Sequence, residues 1–447
     1  MFGSREHLLC SEKPNMMEAG DVPNDLSDTG AGRGRAPGPG AGRWRFWATA
    51  YTLLILLTGT NLPTPLYRGY EDRFGFSPFV VTLIFAVYVA ALIPSLLVAG
   101  PLSDAVGRRR VLLPALALAG LGSLGFALAT DTWWLFAARI SQGLAVGAAS
   151  GALTAALSEL EPSGSHRKAA LVSTVASVGG LGLGPVLAGL VARYIATAPD
   201  VVPFVAEIVL LVPAAVAVMG LPTTHQQTRW RPRRPAIPPA MRAVFATSGT
   251  ANFLAFAVIG LFLTLIPAYV AALAKSTDPL LGGGTAALML ASSATVQLLG
   301  YGRPPRHLQL AGLPLLALGL GLLVLAGDRS SLALLLGATA LAGIGHGLVF
   351  LGGLTAVNNA APSSNRAEVL SGFYVIVYAG VGLPVLGVGV LATAIGLTTA
   401  VTWFAGTVAA LCLLVLLALL ALTRTGHRER GLSSPRGSHP WDTTPAA

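Results

Sequence analysis

The chain has 447 residues, of which 53% are hydrophobic and only 11% are charged, and its mean hydropathy is +0.69. This composition excludes an ordinary soluble globular protein and is typical of a protein that crosses a membrane several times. The net charge of +10 does not indicate nucleic-acid binding, because the Lys and Arg residues lie in tails and short loops. The two cysteines predict neither a disulfide framework nor a metal site.

Apolar segments of membrane-spanning length follow a polar first tail. Residues 1–45 are rich in Gly, Pro and Arg, a composition that predicts a disordered tail. A helix of roughly 20 apolar residues crosses a hydrocarbon core, and twelve such segments can be read from the sequence. The predicted spans are residues 46–61, 79–99, 111–129, 133–157, 169–191, 201–221, 243–273, 284–299, 308–325, 332–354, 369–391 and 398–422.

Basic residues predict how these spans are oriented. A linker at residues 222–243 separates a six-helix bundle at 46–221 from a second at 244–422, and a polar tail at 423–447 is predicted to be disordered. If successive loops alternate between the two membrane faces, 23 Lys and Arg residues fall on one face and 5 on the other. Basic loops are concentrated on the cytoplasmic side. We therefore expect both tails and the linker to be cytoplasmic, in the plasma membrane.

The two halves of the chain resemble each other in sequence. The pattern Gly151-Ala-Leu-Thr-Ala, followed by Pro185-Val-Leu, returns as Gly352-Gly-Leu-Thr-Ala, followed by Pro384-Val-Leu. A repeat of six helices predicts two bundles related by a pseudo-two-fold axis, with a substrate site between them.

A charged turn joins the second and third spans. Gly107 permits a positive φ, Gly100 allows close backbone approach, and Asp104 can pair with Arg108 or cap a helix. The order G-P-L-S-D-x-x-G-R-R resembles the loop between helices 2 and 3 of the major facilitator superfamily. The resemblance implies a conformational latch that holds the outward-facing state; the alternative is a simple topology anchor. The corresponding stretch of the second half, from Gly300 to Arg306, has no acidic residue.

Ionisable residues within the spans are candidates for proton coupling. Arg139 is costly in a membrane unless it finds a partner, and Arg139-Ile-Ser-Gln142-Gly143 resembles the fourth-helix Arg-x-x-Gln-Gly motif of proton-coupled members. Snorkelling to the head groups is the alternative. Glu207 could carry a proton, although the resemblance places its helix at the outside of the bundle. His346 is interpreted as a hydrogen-bonded core residue that could also titrate.

The fifth span carries a glycine-rich motif. Gly180 to Gly189 resembles the G-x-x-x-G-P-x-x-G-G motif of antiporter branches, with an alanine at the penultimate glycine. Gly180, Gly184, Pro185 and Gly189 are predicted to form a pliable, closely packed interface between the halves. Ordinary packing of small residues is the alternative.

Amide and aromatic side chains on the central helices are predicted to line a substrate cavity. Such a wall suits amphipathic or apolar organic compounds, although scattered aromatics are more often packing residues. The candidates are Asn61, Asn252, Phe253, Asn358, Phe373, Tyr374 and Tyr378.

The sequence therefore predicts an all-α membrane protein with twelve transmembrane helices in the major facilitator fold. The resemblance implies a proton-coupled exporter of small organic compounds, of the drug-antiporter type, working by alternating access. A transporter of one metabolite, such as a sugar, and a non-transporting receptor or scaffold are the alternatives. We expect a monomer in the lipid bilayer that uses protons and a small-molecule substrate. No pattern for an enzyme, a cofactor, a metal or nucleic-acid binding is present.

Overall fold

The computed structural model describes residues 39–195, 198–221, 237–276, 278–362 and 365–432, and within these ranges the regular elements are helices. The first half comprises α1 Pro39–Asn61, α2 Tyr67–Phe74, α3 Pro78–Val106, α4 Arg108–Ala127, α5 Thr132–Leu160, α6 His166–Tyr194 and α7 Val202–Met219. The second half comprises α8 Arg242–Thr264, α9 Ile266–Ala274, α10 Pro279–Gly300, α11 Pro305–Asp328, α12 Leu332–Ala360, α13 Arg366–Ile395 and α14 Leu397–Leu432. Most of the predicted tails and of the linker lies outside the described residues.

Among the described helices, 11 are long and apolar enough to cross a membrane. The short helices α2 and α9 are not among them. α1 has 23 residues but is less apolar, because it contains Arg43, Arg45 and Asn61 and also four buried threonines. Their hydroxyls donate to backbone carbonyls four residues earlier, which satisfies each polar group inside its own helix. The threonines are Thr49, Thr52, Thr58 and Thr60. With α1, the long helices match the twelve predicted spans.

Two helix ends and the charged turn differ from the prediction. α1 begins at Pro39 and α14 continues to Leu432, so both helices extend into the segments predicted as tails. α3 runs through Gly100 to Val106, and the chain reverses at Gly107, which has a φ of 95°. The turn is short because no residue before Gly107 stops the helix. Space around Gly100 is open, so the close backbone approach predicted there is wrong.

Each half packs its helices in a similar order. In the first half, α5 packs on α3 and α4, while α1 packs on α6; in the second half, α12 packs on α10 and α11, while α8 packs on α13. We call the end of the bundle that carries Gly107 and Arg108 the basic end, and the other the opposite end. The space between the helices is filled mainly by apolar side chains, which form one large core cluster.

The two halves meet along α6 with α10 and along α3 with α13. Several of these contacts lie at the opposite end. Arg193 Nη1 is 2.5 Å from Asp278 Oδ2, and the Phe79 N–H donates to Thr393 Oγ1 at 3.2 Å. A Cβ placed on Gly189 would lie 3.1 Å from Leu280 Cα. The halves are therefore joined closely where α6 and α13 end and where α3 and α10 begin.

Candidate functional site

Arg139 lies in the interior of the first half with a fully buried side chain. Its Nε donates to the Tyr67 hydroxyl at 2.7 Å, and its Nη1 donates to the Thr60 carbonyl at 2.7 Å and to Gln142 Oε1 at 2.9 Å. These partners come from the α2, α1 and α5 segments. The guanidinium therefore points into the bundle, and the snorkelling alternative does not describe this side chain.

Aromatic rings surround the same guanidinium. Its Cζ lies 5.4 to 5.9 Å from the centroids of four rings, those of Tyr67, Phe85, Tyr88 and Phe126. Ring faces stabilise a desolvated cation. No carboxylate of the described residues lies within 4.0 Å of Arg139, and its Nη2 has no hydrogen-bond partner among them. The charge is held by dipoles and rings rather than by a direct ion pair.

Glu207 of α7 is a buried carboxylate close to this cluster. The Ser123 hydroxyl of α4 donates to its Oε2. The carboxyl group lies against Gly59, where a Cβ would overlap it. Gly59 also accepts a hydrogen bond at its carbonyl from Gln142 Nε2 at 3.2 Å. Residues 59 and 60 of α1 thus bring the Arg139–Gln142 pair and Glu207 to the same place.

Arg108 at the basic end binds Glu159, a residue that the sequence analysis did not single out. Its Nη2 is 2.5 Å from Glu159 Oε1 and its Nε donates to Oε2 at 2.8 Å, a two-point contact. Nη1 also donates to the Ala152 carbonyl at 3.1 Å. Asp104, the predicted partner, lies farther away at 3.9 Å. The ion pair joins the start of α4 to the end of α5.

The neighbouring acid Glu161 is used differently. Burial raises the pKa of its carboxyl, but the Ser163 hydroxyl, the Ser165 N–H and the Lys168 ammonium outweigh that effect and lower it to about 2. These partners belong to the turn before α6 and to its first residues. Glu161 therefore holds the connection between α5 and α6, which leaves Glu159 as the acid that meets Arg108.

The glycine motif of α6 serves two different contacts. A Cβ on Gly180 or Gly184 would collide with the backbone carbonyl of Leu54 or Thr58, so these glycines pack α6 on α1 inside the first half. Their predicted place between the halves is wrong. Pro185 and Gly189 do face the second half: the Pro185 carbonyl lies against Gly283, and Gly189 lies against Leu280.

The predicted cavity residues do not gather in one place. Asn61 donates to the Leu181 carbonyl at 3.0 Å and is buried, and Phe373 is buried against Phe245. Both are packing residues here. The rings of Tyr374 and Tyr378 are 6.4 Å apart and half-buried, as is Asn358.

Of these residues, Phe253 borders an apolar cavity of about 600 Å³ between α8, α13 and α14. Asn252, its neighbour, is fully buried and faces away from that cavity toward α12.

Residues 48–303 match the sequence profile of the Major Facilitator Superfamily, which is more than half of the chain. The chain belongs to the major facilitator superfamily. It is therefore a multi-pass membrane transporter of small molecules and not an enzyme, and the predicted fold class is confirmed.

Curated relatives of this superfamily member match parts of it. The bacillibactin exporter of Bacillus subtilis is 28% identical over 148 residues, 32% of this chain and 37% of the relative. The puromycin resistance protein of Streptomyces alboniger is 34% identical over 33% of this chain and 29% of the relative. The D-xylose transporter of Levilactobacillus brevis is 40% identical over 18% of each chain. The matches thus span well under half of these relatives.

Solved transporter structures match over most of the chain. A nucleoside transporter, NupG, has a TM-score of 0.67 at 12% identity, covering 85% of this chain and 99% of that one. A peptide transporter, POT, has a TM-score of 0.70 at 16% identity, covering 86% and 94%. At these identities the likeness shows the shared fold alone.

The position of Glu207 differs from the expectation drawn from the superfamily. The resemblance implies that its helix lies at the outside of the bundle. α7 does expose Val209 and Val212 on one side. On the other side it packs against α1 and α4, and Glu207 lies on that inner side because a carboxylate needs polar partners away from lipid. No sequence signal in α7 indicates which partner that is.

Proposed function

We propose that this transporter is a proton-coupled exporter of small amphipathic organic compounds that works by alternating access. The buried cluster of Arg139, Gln142 and Glu207 carries the proposal. An arginine and a carboxylate inside membrane-spanning helices are costly. Arg139 bonds to Thr60 and Glu207 packs against Gly59, and this shared position favours a role in transport over a role in anchoring.

In this proposal Glu207 carries the proton and Arg139 responds to its charge. Proton binding removes the negative charge beside Gly59. Arg139 has a spare donor at Nη2, and Gln142 connects it to the backbone of Gly59. A change of charge on Glu207 therefore acts on contacts between α1, α5 and α7, and movement of these helices would re-orient the first half.

The relatives support export of organic compounds. The bacillibactin exporter and the puromycin resistance protein match in regions that cover about a third of this chain. The D-xylose transporter also matches, over 18% of this chain. Transport of one metabolite is therefore the second candidate, and direction and proton movement separate the two.

We further propose that the basic end faces the cytoplasm, with both termini on that side and the protein in the plasma membrane. Arg303→Cys at the basic end and Thr130→Cys at the opposite end test this in a chain without Cys10 and Cys412. Both positions are exposed. An impermeant thiol reagent added to intact cells should label Thr130→Cys alone, and labelling of Arg303→Cys would reverse the proposed orientation.

Everted membrane vesicles test the coupling. Respiration acidifies their lumen and quenches a pH-gradient dye, so an antiporter that exports puromycin should restore fluorescence when puromycin is added. Vesicles from cells that lack this protein are the control. Puromycin uptake without dequenching would contradict proton coupling, and D-xylose transport alone would support the metabolite transporter. Silence with a panel of cationic and neutral compounds would favour the receptor alternative.

A further inference from the structure

His346 is buried in the second half, with 2% of its surface exposed. It lies on α12, and its Nδ1 is 2.8 Å from the Ser293 hydroxyl of α10. Its Nε2 is buried without a hydrogen-bond partner among the described residues. Buried polar atoms are seldom left without a partner, so this nitrogen needs an explanation.

Hydrogen bonds around Ser293 indicate which imidazole nitrogen carries the proton. Gln297 Nε2 donates to the Ser293 hydroxyl oxygen at 3.0 Å. The hydroxyl's own hydrogen then has His346 Nδ1 as its acceptor. With the hydroxyl hydrogen directed at Nδ1, we assign the proton of the neutral imidazole to Nε2. His346 offers one unused donor.

Two phenyl rings flank this imidazole. The Phe256 centroid of α8 is 4.8 Å from that of His346 at an angle of 60°, and the Phe350 centroid is 6.2 Å away at 22°. The two phenyl rings are 5.1 Å apart. Both are half-buried, so each ring keeps a face or edge outside the core that a flat molecule could contact.

An unused acceptor lies one helical turn from Phe256. Asn252 Nδ2 donates to the carbonyls of Ser248, at 2.8 Å, and Val349, at 3.3 Å. Both partners are carbonyl oxygens, which fixes the orientation of the amide. Its Oδ1 is buried and has no partner among the described residues. α8 therefore carries an unused acceptor and α12 an unused donor, and these two helices pack against each other.

We propose that His346, Asn252, Phe256 and Phe350 form a binding subsite for an uncharged, flat aromatic group that carries one hydrogen-bond donor and one acceptor. The subsite residues and their partners Ser293 and Gln297 carry no carboxylate or ammonium, which favours an uncharged group. This rests on the proposed transport of small organic compounds and names the part of the compound that the second half would hold. His346 Nε2 donates to the ligand's acceptor, and Asn252 Oδ1 accepts from its donor.

Two coumarin dyes test the subsite by equilibrium binding. Umbelliferone is flat, has a phenol donor and a lactone carbonyl, and is uncharged at mildly acidic pH. Its methyl ether herniarin lacks the donor. The full chain in lipid nanodiscs, without a proton gradient, should bind umbelliferone about tenfold more tightly than herniarin, the effect of one hydrogen bond.

Substitutions assign each contact. His346→Phe keeps an aromatic ring and should weaken both dyes by about tenfold, whereas Asn252→Leu should weaken umbelliferone alone to the level of herniarin. The control His307→Phe, at an exposed histidine of α11, should bind both dyes like the parent. Thermal unfolding shows whether each variant is folded. If Asn252→Leu is not folded, the test rests on the parent's preference for umbelliferone over herniarin and on the affinities of His346→Phe.

Absence of saturable umbelliferone binding, equal affinity of the parent for the two dyes, or unchanged binding by His346→Phe would overturn the subsite. The binding assay uses no proton gradient. If the protein binds the dyes as expected but shows no proton coupling in the vesicle assay, the coupling proposal is overturned and the subsite still stands.

Discussion

The two halves share a helix arrangement but bury different polar groups. The first half buries Arg139 and Glu207, whereas the second buries His346, Asn252 and Gln309. The neutral groups bond to serines and backbone carbonyls, as Gln309 does to the Ser248 hydroxyl at 3.0 Å. Packing constrains where the helices lie, while the polar positions between them are free to differ. The two proposals accordingly assign charge handling to the first half and neutral recognition to the second.

The turns at the basic end show the same contrast. Gly107 and Gly302 both have positive φ, 95° and 84°, and an arginine follows each. Arg108 binds Glu159, but Arg303 makes no ion pair with another described residue and is exposed. In the second half, the helix that corresponds to α5 is α12, which ends at Ala360. Its last turn has no acidic residue in the place of Glu159. Among the described residues, the same backbone reversal therefore carries an ion pair in the first half and none in the second.

The comparison of the two halves predicts that substitution of Glu207 has the largest effect on transport. Glu207→Gln keeps an acceptor for Ser123 but cannot exchange a proton, so compound-driven proton release should fall to background while compound binding stays within about threefold of the parent. A pH dye in proteoliposomes measures the release, and Glu368→Gln on α13 is the control in the second half. Parent-like release by a folded Glu207→Gln protein would end the assignment of proton transfer to this residue.

Arg139 is expected to show the next largest effect. Arg139→Gln should lower proton-driven accumulation by about a hundredfold, because three donated hydrogen bonds and the charge are lost. Arg139→Lys keeps the charge but loses the planar guanidinium, so its accumulation should lie between that of the parent and that of Arg139→Gln. Accumulation in vesicles and binding by the same purified protein are measured together, with exposed Arg329→Gln as the matched control. Full accumulation by well-expressed Arg139→Gln would refute a coupling role.

The third effect concerns the ion pair at the basic end. Glu159→Gln should lower transport at limiting compound by roughly threefold to tenfold, while Asp104→Asn should change it by less than about twofold, because both acids are exposed and Asp104 is the more distant. Initial rates normalised to expression measure this, and a double-mutant cycle with Arg108→Gln should assign the coupling to Glu159. A larger effect of Asp104→Asn would instead support the pairing expected from the loop motif.

The sequence predicts the helices well because apolar runs of membrane-spanning length have few alternatives in lipid. It does not predict which side chains meet. Arg108 and Glu159 are 51 residues apart, and Ser123 and Glu207 are 84 apart; only the packing of α4 with α5 and α7 brings them together. Asn61 shows the same limit, since helices that are apolar on all sides do not indicate which face meets the cavity and which meets α6.

The smallest effect is expected where the halves touch at the opposite end. Arg193 and Asp278 are partly exposed, with side chains 47% and 22% accessible, so their pair should bias closure of that end by only about twofold to fivefold. Arg193→Ala should speed labelling of a cysteine placed at Thr264, a buried residue beside the contact between the halves. The exchanged pair, Arg193→Asp with Asp278→Arg, should restore the parent rate, whereas either single reversal should not. Arg73→Ala, which removes the ion pair with Asp200 inside the first half, should leave labelling unchanged. If it speeds labelling as much as Arg193→Ala does, the opposite end responds to lost surface charge in general and the contact between the halves has no special part in closure.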